Sequence, residues 1–204
     1  MRTLPNHFLT TLFVATLTLS FVPAGPVQLF AQDHSHMHMS VADSASSKAS
    51  PALPPAEFVA LDECDPATFN AVLGPDFCKN VALGYATTLS DLLTGAQSNN
   101  PSPNWDFEPD SVSVPHGTLI KVVDQGGEPH TFTEVQKFGG GFIAPLNAPG
   151  ETTVPECVGG FSTVAVAKTR IIQGSTIELP NLSKGVHLFQ CCIHPWMHVT
   201  VDVK

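Results

Sequence analysis

The chain has 204 residues, among them five cysteines and nine histidines, with 43% hydrophobic and 8% aromatic side chains. Nine Lys/Arg stand against eighteen Asp/Glu, a formal charge of −9, which excludes nucleic acid or an anionic membrane surface as the natural partner. One of the basic residues and none of the acidic ones fall in residues 1–31, so a chain without that segment carries −10.

Residues 1–31 read as a secretory signal peptide. They combine Arg2, an apolar run over residues 9–22 broken by threonines, and small residues near a cut around Ala31. The run is shorter than the ~20 residues of a spanning helix, so cleavage is expected rather than membrane insertion. The mature protein is then periplasmic or secreted, in an oxidising compartment where disulfides persist.

Residues 32–56 follow as a His/Met-rich tract and linker. Asp33-His34-Ser35-His36-Met37-His38-Met39 places His34, His36, His38, Met37 and Met39 within seven positions, an auxiliary metal-binding tract. With Gln32 as the new N-terminus, a free amine and a histidine at position three can wrap Cu(II) in square-planar nitrogen geometry, an extra copper per chain. Residues 40–56 are Ser/Ala/Pro-rich with little to bury, a flexible linker.

Residues 57–103 are expected to form a small helical extension packed on the core. Asp65 can cap a short helix with Pro66 at its first position and Gly74 closing it, and residues 89–96 can form another turn. Cys64 and Cys78 flank the first helix, and with export assumed a disulfide between them is expected, worth about 3 kcal/mol in the chain-entropy picture.

From Trp105 onward the pattern is β. Residues 112–114, 119–123, 131–135, 158–166, 176–179, 186–190 and 199–203 alternate or run apolar between Gly/Pro punctuation, as strands of a sandwich do. Gly139-Gly140-Gly141 reads as a flexible turn, without the lysine or following helix of a phosphate-binding loop.

The most informative stretch is the last. Val186-His187-Leu188-Phe189-Gln190-Cys191-Cys192-Ile193-His194-Pro195-Trp196-Met197-His198 places a thiol, an imidazole and a thioether within seven positions, at Cys191, His194 and Met197. Such a soft S/N set suits copper, and a His2Cys plane with a weak axial Met builds a blue-copper electron-transfer centre. The second histidine is His130, in Gly126-Gly127-Glu128-Pro129-His130. Strand alternation puts Phe189 and Cys191 on one face and Leu188, Gln190 and Cys192 on the other. Counting from Cys192 leaves one residue before His194, too tight for two ligands in a plane, so Cys191 is the expected ligand.

This stretch resembles the ligand loop of the cupredoxins, the plastocyanin and azurin family, and its short Cys-x2-His-Pro-aromatic-Met form is most similar to amicyanin and related bacterial plastocyanin-like proteins. Phe107 to Pro115 followed by Gly117-Thr118 resembles the family's early strand, and Pro129-His130 its first-histidine strand. The resemblance covers residues 104–204. It implies a cupredoxin domain there: an all-β Greek-key sandwich holding one type 1 copper on His130, Cys191, His194 and Met197. It also implies one-electron transfer with a redox partner protein, no enzymatic activity, and an exposed edge of His194 rimmed by Pro195 and Trp196 as the electron-transfer patch. The chain departs from the family in three places. Thr131 stands where an Asn usually ties the ligand loops, His198 replaces a common glycine after the methionine, and the segment between His130 and Cys191 is longer.

With Cys191 given to copper, Cys64, Cys78, Cys157 and Cys192 allow three disulfide pairings. The expected second bridge joins Cys157 to Cys192, tethering the long inserted segment beside the metal. His116 and His187 are expected at the surface or in ordinary packing, and His198 beside the site or at the surface. A monomer is expected. The alternative function is an envelope copper-binding or copper-delivery protein that uses the His/Met tract together with the cupredoxin site.

Overall fold

The computed structural model describes residues 53–79, 86–179 and 181–204, all within the compact unit Ala49–Lys204. The expectations for residues 1–31 and for His34, Met37, His36, His38 and Met39 lie outside the described residues. Among the described residues, ten strands make two four-stranded sheets and one short pair. One sheet runs in the order β2 (Asp106–Glu108), β1 (Ala56–Leu61), β4 (Ile120–Asp124), β8 (Thr176–Leu179). The other runs β3 (Ser111–Val114), β10 (His198–Val203), β9 (Gly185–Gln190), β6 (Thr133–Val135), and β5 (His130–Thr131) pairs with β7 (Arg170–Ile171).

Each large sheet contains one parallel pair: β1 with β4, Phe58 opposite Val122, and β10 with β3, Val201 opposite Val112. Parallel neighbours cannot be joined by hairpins, so the chain must cross over. It does so between layers: β3 and β4 are consecutive yet belong to different sheets. The result is the expected all-β sandwich. Period-2 alternation supplies its inner faces, with Phe58 and Ala60 on β1, Ile120 and Val122 on β4, and Val199, Val201 and Val203 on β10. The faces meet on Phe132, stacked on Phe189 at 4.5 Å, edge-on to Phe107 at 5.2 Å and 5.6 Å from Phe58. Burying such a ring contributes ~1.5–3 kcal/mol, before the further gain from aromatic geometry.

Three expectations need correction. The segment read as an extension on the core supplies a strand of the core itself, because β1 lies inside its sheet between β2 and β4. Its Phe-Val-Ala-Leu run is short but alternates correctly, and its backbone bonds go to both neighbours. The two helices α1 (Pro66–Leu73) and α2 (Leu89–Gln97) do form, the first capped by the Asp65 carboxylate on the amides of Ala67 and Thr68 and closed at Gly74.

Residues 158–166 are not a strand. They form a 3-10 turn, Gly160–Ser162, and the short helix α3 (Val164–Lys168). Gly159 and Gly160 take φ of 85° and 52°, a left-handed conformation that no extended strand tolerates. The glycine triplet is likewise no flexible turn. Gly139 and Gly140 bond to Gln190 and Thr152, and a Cβ on Gly141 would lie 2.1 Å from the Cys192 carbonyl oxygen. Glycine is there because backbone meets backbone.

Two disulfides are present, Cys64–Cys78 and Cys157–Cys192. The second pins the inserted segment to the back of the ligand strand, where Cys157 and Cys192 share a separate apolar cluster with Val135, Val154 and Val166.

Candidate metal centre

Alternation along β9 carries through its end: Phe189 and Cys191 enter the main core while Cys192 turns to the second cluster. The chain then folds back on itself. The Met197 amide donates to the His194 carbonyl at 3.0 Å and the Cys191 amide to the Met197 carbonyl at 3.1 Å. This closed loop brings Cys191, His194 and Met197 to one end of the sandwich, all buried. His130 arrives from β5, held at its ring edge by Phe107 at 6.4 Å between centroids.

His130 Nδ1 and His194 Nδ1 each lie 3.9 Å from Cys191 Sγ, and the three ligand atoms fall within 4.8 Å of one another. A metal–thiolate bond of roughly 2.3 Å and a metal–imidazole bond of roughly 2.0 Å subtend about that span at a near-trigonal angle. The donor set therefore fits copper, thiolate and imidazole being acceptable to both its oxidation states. Met197, fully buried in the same loop, is the thioether available to it.

Backbone amides organise the sulfur. Thr131 N–H and His194 N–H point at Cys191 Sγ at 3.4 and 3.5 Å. Thr131 also ties the two ligand loops, its hydroxyl accepting from the Cys192 amide at 2.7 Å. That hydroxyl is itself fixed by Thr133, which pairs with Thr169. Thr131 thus joins the loop of His130 to the loop of Cys191 through a single side chain.

Each imidazole is also gripped from behind. His130 Nε2 is 2.9 Å from Asp62 Oδ2, and His194 Nε2 is 3.2 Å from Glu128 Oε2. Asp62 accepts the amides of Gly127 and Glu128 at 2.9 Å, and Glu128 accepts the Trp105 indole N–H at 2.9 Å. Carboxylates on the far nitrogens fix ring orientation and raise the basicity of the nitrogens that face the metal.

Electrostatics follow from this sealed arrangement. Burial alone would raise the Cys191 thiol, but hydrogen bonds and charge from His130 and His194 outweigh it and hold the thiol well below its ordinary range. Burial would depress both histidines. Asp62 and Cys191 instead push His130 well above its usual value, and Cys191 with Glu128 pushes His194 up to about 9.

One expectation about the surface changes. His194 is only 2% exposed, so its edge does not stand open. Glu128 covers Nε2, Trp105 and Trp196 lie 6.2 and 5.6 Å from its ring, and Trp196 donates to the Trp105 carbonyl at 3.2 Å. Pro195 is buried and Trp196 half-buried, leaving a narrow rim. The cause lies upstream: Phe69 of α1 stacks on Trp105 and holds it over the site.

Asp62 and Trp105 were missed from sequence because nothing local marks a carboxylate 68 positions before its histidine. Glu128 carried a signal, standing two residues before His130 in an otherwise small and apolar stretch. Among the remaining histidines, His187 pairs with Glu134 at 2.6 Å, His198 stacks on Phe138 at 4.0 Å and His116 is exposed.

The fold and site together define a β-sandwich protein with a buried His2Cys centre. No protein-family model matches the chain and no curated protein does. Solved structures that match include a purple cupredoxin from Nitrosopumilus maritimus, 16% identical, TM-score 0.32, covering 50% of this chain and 86% of that one. An amicyanin variant in its Cu(I) form matches at 14% identity and TM-score 0.31, covering 48% of this chain and 73% of that one. Another amicyanin variant, in its reduced state, matches at 15% identity and TM-score 0.30, over 48% and 71%. At these values the likenesses add nothing to the strand order and site geometry above, on which the fold and the centre stand.

Proposed function

We propose that the chain is an exported type 1 copper protein that carries single electrons between redox proteins, and not an enzyme. The observation that carries this reading is the convergence of His130 Nδ1, Cys191 Sγ and His194 Nδ1 within 4.8 Å in a fully buried pocket. His130, Cys191 and His194 would hold copper there, with the buried Met197 thioether as a further donor, and the ion would supply a one-electron Cu(II)/Cu(I) couple.

The rest is the protein's contribution. Thr131 and His194 amides hold the Cys191 sulfur, Asp62 and Glu128 hold the imidazoles, and Thr131 locks the loops together. Ligands fixed this firmly move little when the charge on a bound ion changes, which favours fast transfer. Pro195 and Trp196 form the apolar rim nearest His194, the natural meeting place for a redox partner. Export follows from residues 1–31; among the described residues no helix is long and apolar enough to cross a membrane.

The delivery reading is favoured by the tract His34, His36, Met37, His38 and Met39, which would add exchangeable copper. Against it stands the burial of every core ligand, which opposes ready release.

The test is a Cu(II) titration of the mature protein beside a Cys191→Ser variant, followed in the visible. An intense thiolate-to-copper band at one equivalent, absent from the variant, is expected. Weak absorption unaffected by Cys191→Ser, with copper held by residues 32–39, would overturn electron carriage and leave the binding role.

A further inference from the structure

A cleft of about 780 Å³ opens beside the metal centre, between the end of β4 and the segment following β1. Its walls include Glu63, Asp106 and Glu108 with one cation, Lys79, and its most buried carboxylates are Asp62 and Asp124. Such a concentration of one sign of charge draws cations inward.

Asp124 is the anomaly. Alternation along β4 puts it on the inner face of the sheet, opposite Ala60 of β1, at a position where Ile120 and Val122 are core residues. It is 1% exposed. One oxygen accepts the Gly126 amide at 2.9 Å; the other, Oδ2, has no hydrogen-bond partner. A buried carboxylate with a bare oxygen is costly unless something is bound to it. Burial pushes its carboxyl up to about 7, with the His130 charge opposing and the Asp62 charge adding.

Asp62, Asp124 and His130 bring one ligand atom each to within 4.8 Å of one another. His130 presents Nδ1 to Cys191, so the nitrogen on this side is Nε2, which meets Asp62 at 2.9 Å. Two carboxylates and an imidazole are a hard-to-borderline donor set, unlike the thiolate side of the same ring, and suit Zn(II) or Cu(II).

We propose that Asp62, Asp124 and His130 Nε2 form a second divalent-cation site, reached through the acidic cleft, on the opposite edge of the imidazole from Cys191. The cation takes the place of the proton on Nε2, which leaves to solvent, and gives Asp124 Oδ2 its missing partner. The site does not depend on copper at Cys191. When both edges are occupied, His130 bridges the two ions, and the state of one is felt by the other.

Zinc(II) alone is the probe, added to the full chain carrying Cys191→Ala with His34→Ala, His36→Ala and His38→Ala, so that thiolate and tract are silent. Isothermal titration near neutral pH is expected to give one zinc per chain, weakened roughly tenfold or more by adding Asp124→Asn. In the same background, zinc is expected to move the His130 Nε2 resonance in nitrogen-15 spectra. Zinc that fails to bind, or binds as well with Asp124→Asn, would overturn the site. So would an unmoved Nε2 resonance, a result that does not require Asp124→Asn to fold. Copper colour in the otherwise unaltered chain carrying Asp124→Asn is read separately, so failure here is distinct from failure of the Cys191 centre.

Discussion

Asp62→Asn removes a charge while its remaining oxygen still accepts from the His130 N–H and the Glu128 amide; its new NH2 group faces the Gly127 N–H, so that contact is lost along with the charge. The carboxylate lies 2.9 Å from Nε2, and the ring plus a metal bond of roughly 2 Å puts its charge about 7 Å from an ion on Nδ1. A unit charge at that distance, in an effective dielectric of about 20, is worth roughly 2.4 kcal/mol. For a one-electron couple this is about 100 mV. A negative charge favours the higher oxidation state, so its loss raises the reduction potential. The assay is a redox titration of the copper-loaded protein followed by its visible band, which also reports whether the ligand set has survived. A potential that stays put or falls, with the band intact, would refute the claim that the buried carboxylate acts through His130.

The bridge between Cys157 and Cys192 closes a 35-residue separation, so replacing both cysteines with Ala is expected to cost roughly 4 kcal/mol in denaturant unfolding; an unchanged midpoint would contradict this. Gly141→Ala must push its Cβ into the Cys192 carbonyl, with an expected loss of about 1–3 kcal/mol and a disturbed copper band, both read by melting the coloured protein. The His187 imidazole is raised above its ordinary 6.5, chiefly by its bond to Glu134, with burial opposing. A raised folded value gives stability that is complete below 6.5 and disappears as pH climbs through it. The gap in unfolding midpoint between the parent and Glu134→Gln should therefore close as pH rises above neutrality, and a gap that widens would reverse the sign.

Much of the centre was legible because it is local. Cys191, His194 and Met197 lie in one loop, and period-2 alternation together with the spacing to His194 separates Cys191 from Cys192. The cap at Asp65 was legible for the same reason, a side chain acting on amides two and three residues away. What reached the centre from elsewhere was not. Asp62 comes from the segment after β1 and Trp105 from the turn before β2, and only the finished sandwich brings them to His130 and Glu128. The misreading of residues 158–166 has another cause: Val158, Val164 and Val166 suggested a strand, but the disulfide and two left-handed glycines fix the backbone first. Gly139, Gly140 and Gly141 looked flexible because composition says nothing about a neighbour's carbonyl.

Cys191 and Cys192 adjoin in the chain yet face opposite layers, and this has a consequence for assembly. Before the strands align, an oxidant meets two sulfurs with equal claim on Cys157. Once β9 lies beside β10, with Val199 opposite Phe189, Cys191 is behind the sheet and only Cys192 looks toward Cys157. A bond made to the wrong neighbour would demand a one-residue slip, turning Phe189 outward and Leu188 inward. The correct bridge is thus a registration mark: in the folded sheet it fits only a ligand strand that is in phase, and once closed it preserves that phase.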